Sequence, residues 1–201
     1  MFEGERAFVY ATGPSLTDEA LALTHAQPGY RHIAISDYFR TGAPCDFFYA
    51  CDQKWWTIHR DAVEKWNGCE NGWWCAETAT KKQWPDLFHI AGEGGQGWST
   101  NQAKVRYGGN SGFQITNLAY LLGIKRMILV GFNMMVTDKQ HFFGAHPQGL
   151  SRNSSYHSFA GSFGFIHPAK HGVEIIQTAE PTKLNHFPRM TLNEAIDRFS
   201  V

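Results

Sequence analysis

Residues 108–134 read GGNSGFQITNLAYLLGIKRMILVGFNM. The glycines open this stretch as a turn, and Asn110 is a residue type that caps helices by accepting a hydrogen bond from a first-turn amide. From there Ile115, Leu118, Ala119 and Leu122 recur at helical spacing on one face, and Gly123 supplies the C-terminal stop. Arg126–Gly131 follows as a short apolar run without alternation, the pattern of a strand covered on both faces. Turn, helix and central strand in that order form one unit of an α/β protein.

The same unit recurs toward the N-terminus. Arg6–Ala11 reads as a buried strand ending in the turn Thr12-Gly13-Pro14-Ser15-Leu16, and Ser15 or Thr17 can cap a helix with Asp18 and Glu19 in its first turn. Arg31–Ser36 and Asp46–Ala50 read as strands. Gln53–Trp66 reads as a helix, with Trp55, Ile58, Ala62 and Trp66 at helical spacing. Toward the C-terminus, Val173–Thr178 is a strand and Leu192–Phe199 a helix, with Thr191 and Glu194 placed as a capping box. The alternation predicts a Rossmann-like, mostly parallel sheet flanked by helices. Residues 68–109, rich in Trp and Gly, break the pattern and read as an irregular excursion with one short strand near Leu87–Ile90.

A chain of 201 residues suits a single domain, and 43% hydrophobic with 18% charged residues is enough to build a full core. Eighteen basic side chains balance eighteen acidic ones, which argues against a protein that grips nucleic acid through a net basic face. The charged start, Met1-Phe2-Glu3-Gly4-Glu5-Arg6, is unlike a signal peptide. The most apolar stretch, Met127–Val130, is far too short for a membrane span, so the reading is cytoplasmic. Cys45, Cys51, Cys69 and Cys75 lack the usual zinc spacing, and Cys51 reads as a small buried thiol. The seven tryptophans read as aromatic core under long loops, with a partner surface or a stacking platform as the alternatives.

In a parallel sheet the chemistry lies past the carboxyl ends of the strands. After the first strand, Gly13, Pro14 and Ser15 form a turn whose amides can face an anion at a helix N-terminus. Asn110, Ser111 and Gly112 open a second helix. Asn133, just past the Arg126–Gly131 strand, is placed to hydrogen-bond a base edge or a ribose, although polar residues there are also ordinary turn chemistry. His141 and His146 follow on a loop, and histidine titrates near neutral pH and serves as a general base. Asp138, His141 and His146 fit no helical metal motif, so no metal is assigned. The other histidines, at 25, 32, 59, 89, 157, 167, 171 and 186, carry no comparable argument.

Strand-Gly-Pro-Ser-Leu, then Asn-Ser-Gly opening a helix that ends in Leu-Gly, then a strand ending in Gly-Phe-Asn-Met and a histidine loop, resembles the family 42 sialyltransferases. The order also resembles the related domain of unknown function 115, with its pterin diphosphokinase, and small phage-encoded proteins of that superfamily. Val173–Phe187, ending Thr182-Lys183-Leu184-Asn185-His186-Phe187, resembles the family's last strand and following loop. The resemblance implies a glycosyltransferase that binds a cytidine nucleotide sugar without a metal and uses a histidine base. It assigns Gly13, Pro14, Ser15, Ser36, Asn110, Ser111, Gly112 and Asn133 to the nucleotide, with His146 as catalytic histidine and His141 as its companion. Ser36-Asp37 stands where the family commonly has Asn, and Tyr156 corresponds only by position to its tyrosines. The acceptor is open among a glycan, a small molecule and a modified nucleic-acid base, and a homo-oligomer is compatible. The alternatives are diphosphoryl transfer with Mg on Asp138 or Asp52, and a nucleotide-binding phage accessory protein without catalysis. Neutral net charge predicts that local helix dipoles, not a basic surface, hold any phosphate.

Overall fold

The computed structural model describes residues 1–135, 138–147, 150 and 156–200, apart from the side chains of 156 and 157. Nine strands and six α-helices follow in the order β1 (Arg6–Tyr10), α1 (Asp18–His25), β2 (Tyr30–Ile35), β3 (Phe47–Tyr49), α2 (Gln53–Trp66), β4 (Trp73–Cys75), α3 (Thr78–Gln83), β5 (Phe88–His89), β6 (Ala91–Glu93), β7 (Lys104–Arg106), α4 (Ser111–Leu121), β8 (Arg126–Val130), α5 (Tyr156–Phe163), β9 (Glu174–Gln177) and α6 (Leu192–Ser200). Two short 3₁₀ segments, Ser36–Thr41 and Pro168–His171, complete the described elements. Every strand pairing among them is parallel. The main sheet has seven strands in the order β5-β4-β3-β2-β1-β8-β9.

Alternate residues of the central strand serve two cores. Ala7 and Val9 pack with Ile115, Leu118 and Ala119 of α4, while Phe8 and Tyr10 pack with Leu21 of α1, Trp56 of α2 and Phe199 of α6. Coverage on both faces is why Met127–Val130 carries no polar residue and is at most 2% exposed. Both predicted caps form. Thr17 accepts from the Ala20 amide, and Thr191 and Glu194 exchange the bonds of a capping box.

The expectation for residues 68–109 needs correcting. The segment extends the main sheet by two strands, β4 and β5, adds α3, and forms a separate β6–β7 ribbon. Strands of two and three residues are too short to show a two-residue period, and Thr, Lys and Gln in α3 leave no apolar stripe to read. None of the seven tryptophans is exposed, and Trp55, Trp56 and Trp98 are buried, in keeping with the aromatic-core reading. Cys51 is buried, and burial pushes its thiol up to about 12. No described helix is long and apolar enough to cross a membrane.

The chain runs outward from β1 through β2 to β5, then returns to the other side of β1 with β8 and β9. That reversal opens a crevice between the carboxyl ends of β1 and β8.

Candidate nucleotide-binding and catalytic cleft

A cleft of about 540 Å³ occupies the reversal point, within the range of small-molecule sites. Its walls come from Ala11–Gly13 after β1, Ile35 and Ser36 after β2, Cys51–Trp55 entering α2, Gly109–Gly112 entering α4, Gly131 and Asn133–Met135 after β8, and His141 and His146. Ser36 and Met134 hold φ of +48° and +49°. Left-handed backbone at side-chain-bearing residues costs energy and gathers at functional sites.

The turn after β1 differs from its sequence reading. Gly13 lies so close to its neighbours that an added Cβ would meet the Gly131 carbonyl oxygen and Asn133 Oδ1 at 2.4 Å each. The Ser15 amide and hydroxyl both donate to Asn133 Oδ1, at 3.1 and 2.7 Å, and the Leu16 amide donates to the Gly13 carbonyl. Asn133 Nδ2 donates to the Pro181 carbonyl at 2.7 Å. One expectation is corrected by this geometry: the Ser15 and Leu16 amides are engaged within the turn and face no anion. Asn133 does line the cleft, with Oδ1 and one of its two Nδ2 hydrogens committed inside the protein. Pro14 and Ser15 do not line the cleft, and the exposed Asp18 and Glu19 leave the α1 N-terminus ill suited to a phosphate.

Two other helices open their first turns onto the cleft. Asn110 Oδ1 accepts from the Phe113 amide at 2.8 Å and the Asn110 carbonyl from the Gln114 amide, which leaves the amides of Ser111 and Gly112 at the cleft. Space there is tight: a Cβ on Gly112 would lie 2.9 Å from Met134 Cε. At the start of α2 the Gln53 amide donates to Glu77 Oε2 and the Trp56 amide to the Asp52 carbonyl, leaving Lys54 and Trp55. Both helices exceed two turns, so their dipoles favour negative charge in the cleft; at α2 the carboxylates of Asp52 and Glu77 already meet part of that demand, which leaves the α4 entrance the less encumbered of the two. The α4 entrance is legible in the sequence. The α2 entrance is not, because Asp52 there looks like an ordinary cap.

The histidine loop folds back on β1: the Phe142 amide donates to the Thr12 carbonyl, and His141 and Gly144 exchange backbone hydrogen bonds. His141 Nδ1 lies 3.1 Å from Thr12 Oγ1, and burial pulls its pKa down to about 4. The His146 ring sits 4.3 Å from that of His141, and its pKa is also lowered by burial. His146 Nδ1 is buried without a hydrogen-bond partner among the described residues, 3.8 Å from Asp37 Oδ2.

Asp37 carries no weight in the sequence and a good deal in the structure. Fully buried one residue beyond Ser36, it accepts hydrogen bonds from Arg40 Nε at 2.6 Å and Trp55 Nε1 at 3.0 Å, and faces His59 Nε2 at 3.6 Å. His59 therefore belongs to the site after all. Trp55 and His59, four apart on α2, share a helix face, a spacing that could have linked them but that the sequence reading did not use. Asp138 is exposed and does not line the cleft, whereas Asp52 does. Among the described residues no group of three or more His, Cys, Asp or Glu side chains could hold a metal ion. The side chain of Tyr156 lies outside the described residues.

A scan of protein-family models and a search of curated proteins find no match to this sequence. Solved structures do match. The monofunctional alpha-2,3-sialyltransferase Cst-I of Campylobacter jejuni superposes with a TM-score of 0.62 at 13% identity, over 92% of this chain and 80% of that one. The fold is that of the Campylobacter sialyltransferases. CstII from the same organism, solved with cytidine-5'-monophosphate, gives 0.62 at 12% identity over 95% of this chain and 86% of that one. CST-II with a trisaccharide acceptor and CMP gives 0.60 at 12% identity over 92% and 85%. The sialyltransferase fold accounts for the mostly parallel sheet and the flanking helices described above.

Proposed function

We propose that this protein is a glycosyltransferase that takes a CMP-linked sugar and transfers the sugar to an acceptor hydroxyl, with His146 as general base. One observation carries the reading: a cleft at the β1/β8 reversal point combines two helix N-termini with a half-buried histidine whose pKa burial lowers, in a fold shared with proteins solved holding CMP. The first-turn amides of α4 and α2 receive the phosphate and stabilise the charge that develops on it as CMP departs. Lys54, at the α2 entrance, adds a positive charge to the same wall. His146 takes the proton of the acceptor hydroxyl as its oxygen attacks the sugar. The new carbon–oxygen bond forms as the bond to phosphate breaks, and the electron pair leaves with CMP. Burial keeps His146 unprotonated at neutral pH, the state a base requires.

Thermal denaturation with CMP, CDP, UDP, GDP and ATP in turn tests the reading. At about one hundred times its dissociation constant, CMP is expected to stabilise the protein by roughly 2.7 kcal/mol. Absence of any shift with CMP removes the main support for the proposal.

A further inference from the structure

The carboxylate of Asp37 has two oxygens in matching situations. Oδ1 accepts from Arg40 Nε at 2.6 Å and faces His59 Nε2 at 3.6 Å, whereas Oδ2 accepts from Trp55 Nε1 at 3.0 Å and faces His146 Nδ1 at 3.8 Å. Each oxygen thus holds one strong donor and presents its remaining capacity to an imidazole nitrogen, and both of those nitrogens are buried without a hydrogen bond among the described residues. A movement of less than about 1 Å brings either pair to hydrogen-bond length, and such contacts are commonly long before substrate binds. The carboxylate itself cannot wander, because Trp55 fixes it from α2 and Arg40, stacked on Phe143 at 5.0 Å, ties it to the histidine loop.

We propose that Asp37 is the positioning residue for His146: it accepts the Nδ1 proton, fixing the tautomer in which Nε2 is the nitrogen free to take a proton from the acceptor. Asp37 touches no reacting atom. It acts by orienting the imidazole and by neutralising the imidazolium formed when the acceptor proton arrives, a division of labour that any carboxylate–histidine pair can perform. Among the described residues, the charged and titratable groups facing His146 are Asp37 and Arg40 from the 36–41 turn, His59 from α2 and His141 from its own loop. Asp37 is the one carboxylate in that group. This inference rests on the proposed transferase reading for its kinetic consequence, but not for the tautomer itself.

Long-range ¹H–¹⁵N correlation spectra of the full chain labelled at histidine, recorded near pH 7.5, decide it. His146, assigned by the signals lost in His146→Gln, is expected as the Nδ1–H tautomer in the unmodified protein and as the Nε2–H tautomer, or a mixture, in Asp37→Asn. With a CMP-sugar donor, Asp37→Asn is expected to lower kcat by about 10²–10⁴-fold, with CMP affinity unchanged within about twofold. An Nε2–H tautomer in the unmodified protein overturns the proposal, as does an Asp37→Asn protein that keeps both the Nδ1–H tautomer and the parent kcat. Should Asp37→Asn not fold, the tautomer of the unmodified chain still decides for or against the proposal. Failure of the unmodified protein to bind CMP counts against the transferase reading alone and leaves the tautomer result standing.

Discussion

The turn after β1 and the loop that carries His141 and His146 both border the cleft, and they treat their polar groups in opposite ways. In the first, the Ser15 amide, the Ser15 hydroxyl, Asn133 and the Pro181 carbonyl satisfy one another. Around the second, His141 Nε2, His146 Nδ1 and His59 Nε2 are buried and make no hydrogen bond among the described residues. A satisfied polar cluster holds a fold together, because removing one member leaves the others buried and unpaired. An unsatisfied cluster beside a cleft stores capacity that a ligand or a proton can use. The two segments therefore differ in what they offer: one closes the turn after β1 on itself, and the other leaves polar capacity beside the cleft.

Three experiments probe that division. The largest effect is expected from His146→Ala, which should reduce kcat by about 10²–10⁴-fold while CMP binding and the urea midpoint stay near the parent values. A mutant as active as the parent would break the comparison on its catalytic side. Next comes Asn133→Ala, which removes a buried carboxamide together with its hydrogen bonds to the half-buried Ser15 and to the Pro181 carbonyl. Urea denaturation should show a loss of about 2–4 kcal/mol, and a loss below about 1 kcal/mol would mean that the clamp holds nothing.

The smallest effect is one of pH. Burial lowers the pKa of His141 and of His32 to about 4 from a usual 6.5. Between these values the unfolded chain binds protons that the folded chain does not. The stability is thus fully present above about pH 6.5 and drains away as the pH falls toward 4. After allowance for solvent screening, each histidine contributes on the order of 2 kcal/mol to that loss. Replacing His141 with Gln should flatten part of the acid limb in a urea series from pH 7.5 to 4. An unchanged limb would place the proton uptake elsewhere.

Much of this molecule was legible in the sequence because a parallel sheet buries its strands on both faces. Arg126–Val130 and Gln53–Trp66 emerge in the structure within a residue of their readings. The α4 entrance was legible too, since Asn-Ser-Gly ahead of an apolar helix leaves little else for the chain to do. Asn133 was read as reaching toward a ligand for a different reason: its partners, Ser15 and Pro181, lie 118 and 48 residues away, and no local pattern announces them. Asp37 and His59 escaped on the same grounds. A single Asp after a strand looks like turn chemistry, and a single His within a tryptophan-rich helix looks like core. Only the crossing of α2 over the end of β2 brings them to one place.

The position of β1 in the sheet also governs the order in which the cleft can come into being. One wall, from Ala11 to Trp55, is built from the first quarter of the chain, while the other awaits Gly109 to His146. During synthesis, β1 through β5 emerge with one flank of the central strand uncovered, and the sheet closes only when α4 has crossed over and β8 has docked beside β1. Long-range parallel pairing of this kind is among the slower steps of folding. The nascent chain therefore has no complete cleft, and any ligand that fills it reports that both flanks of β1 have been assembled.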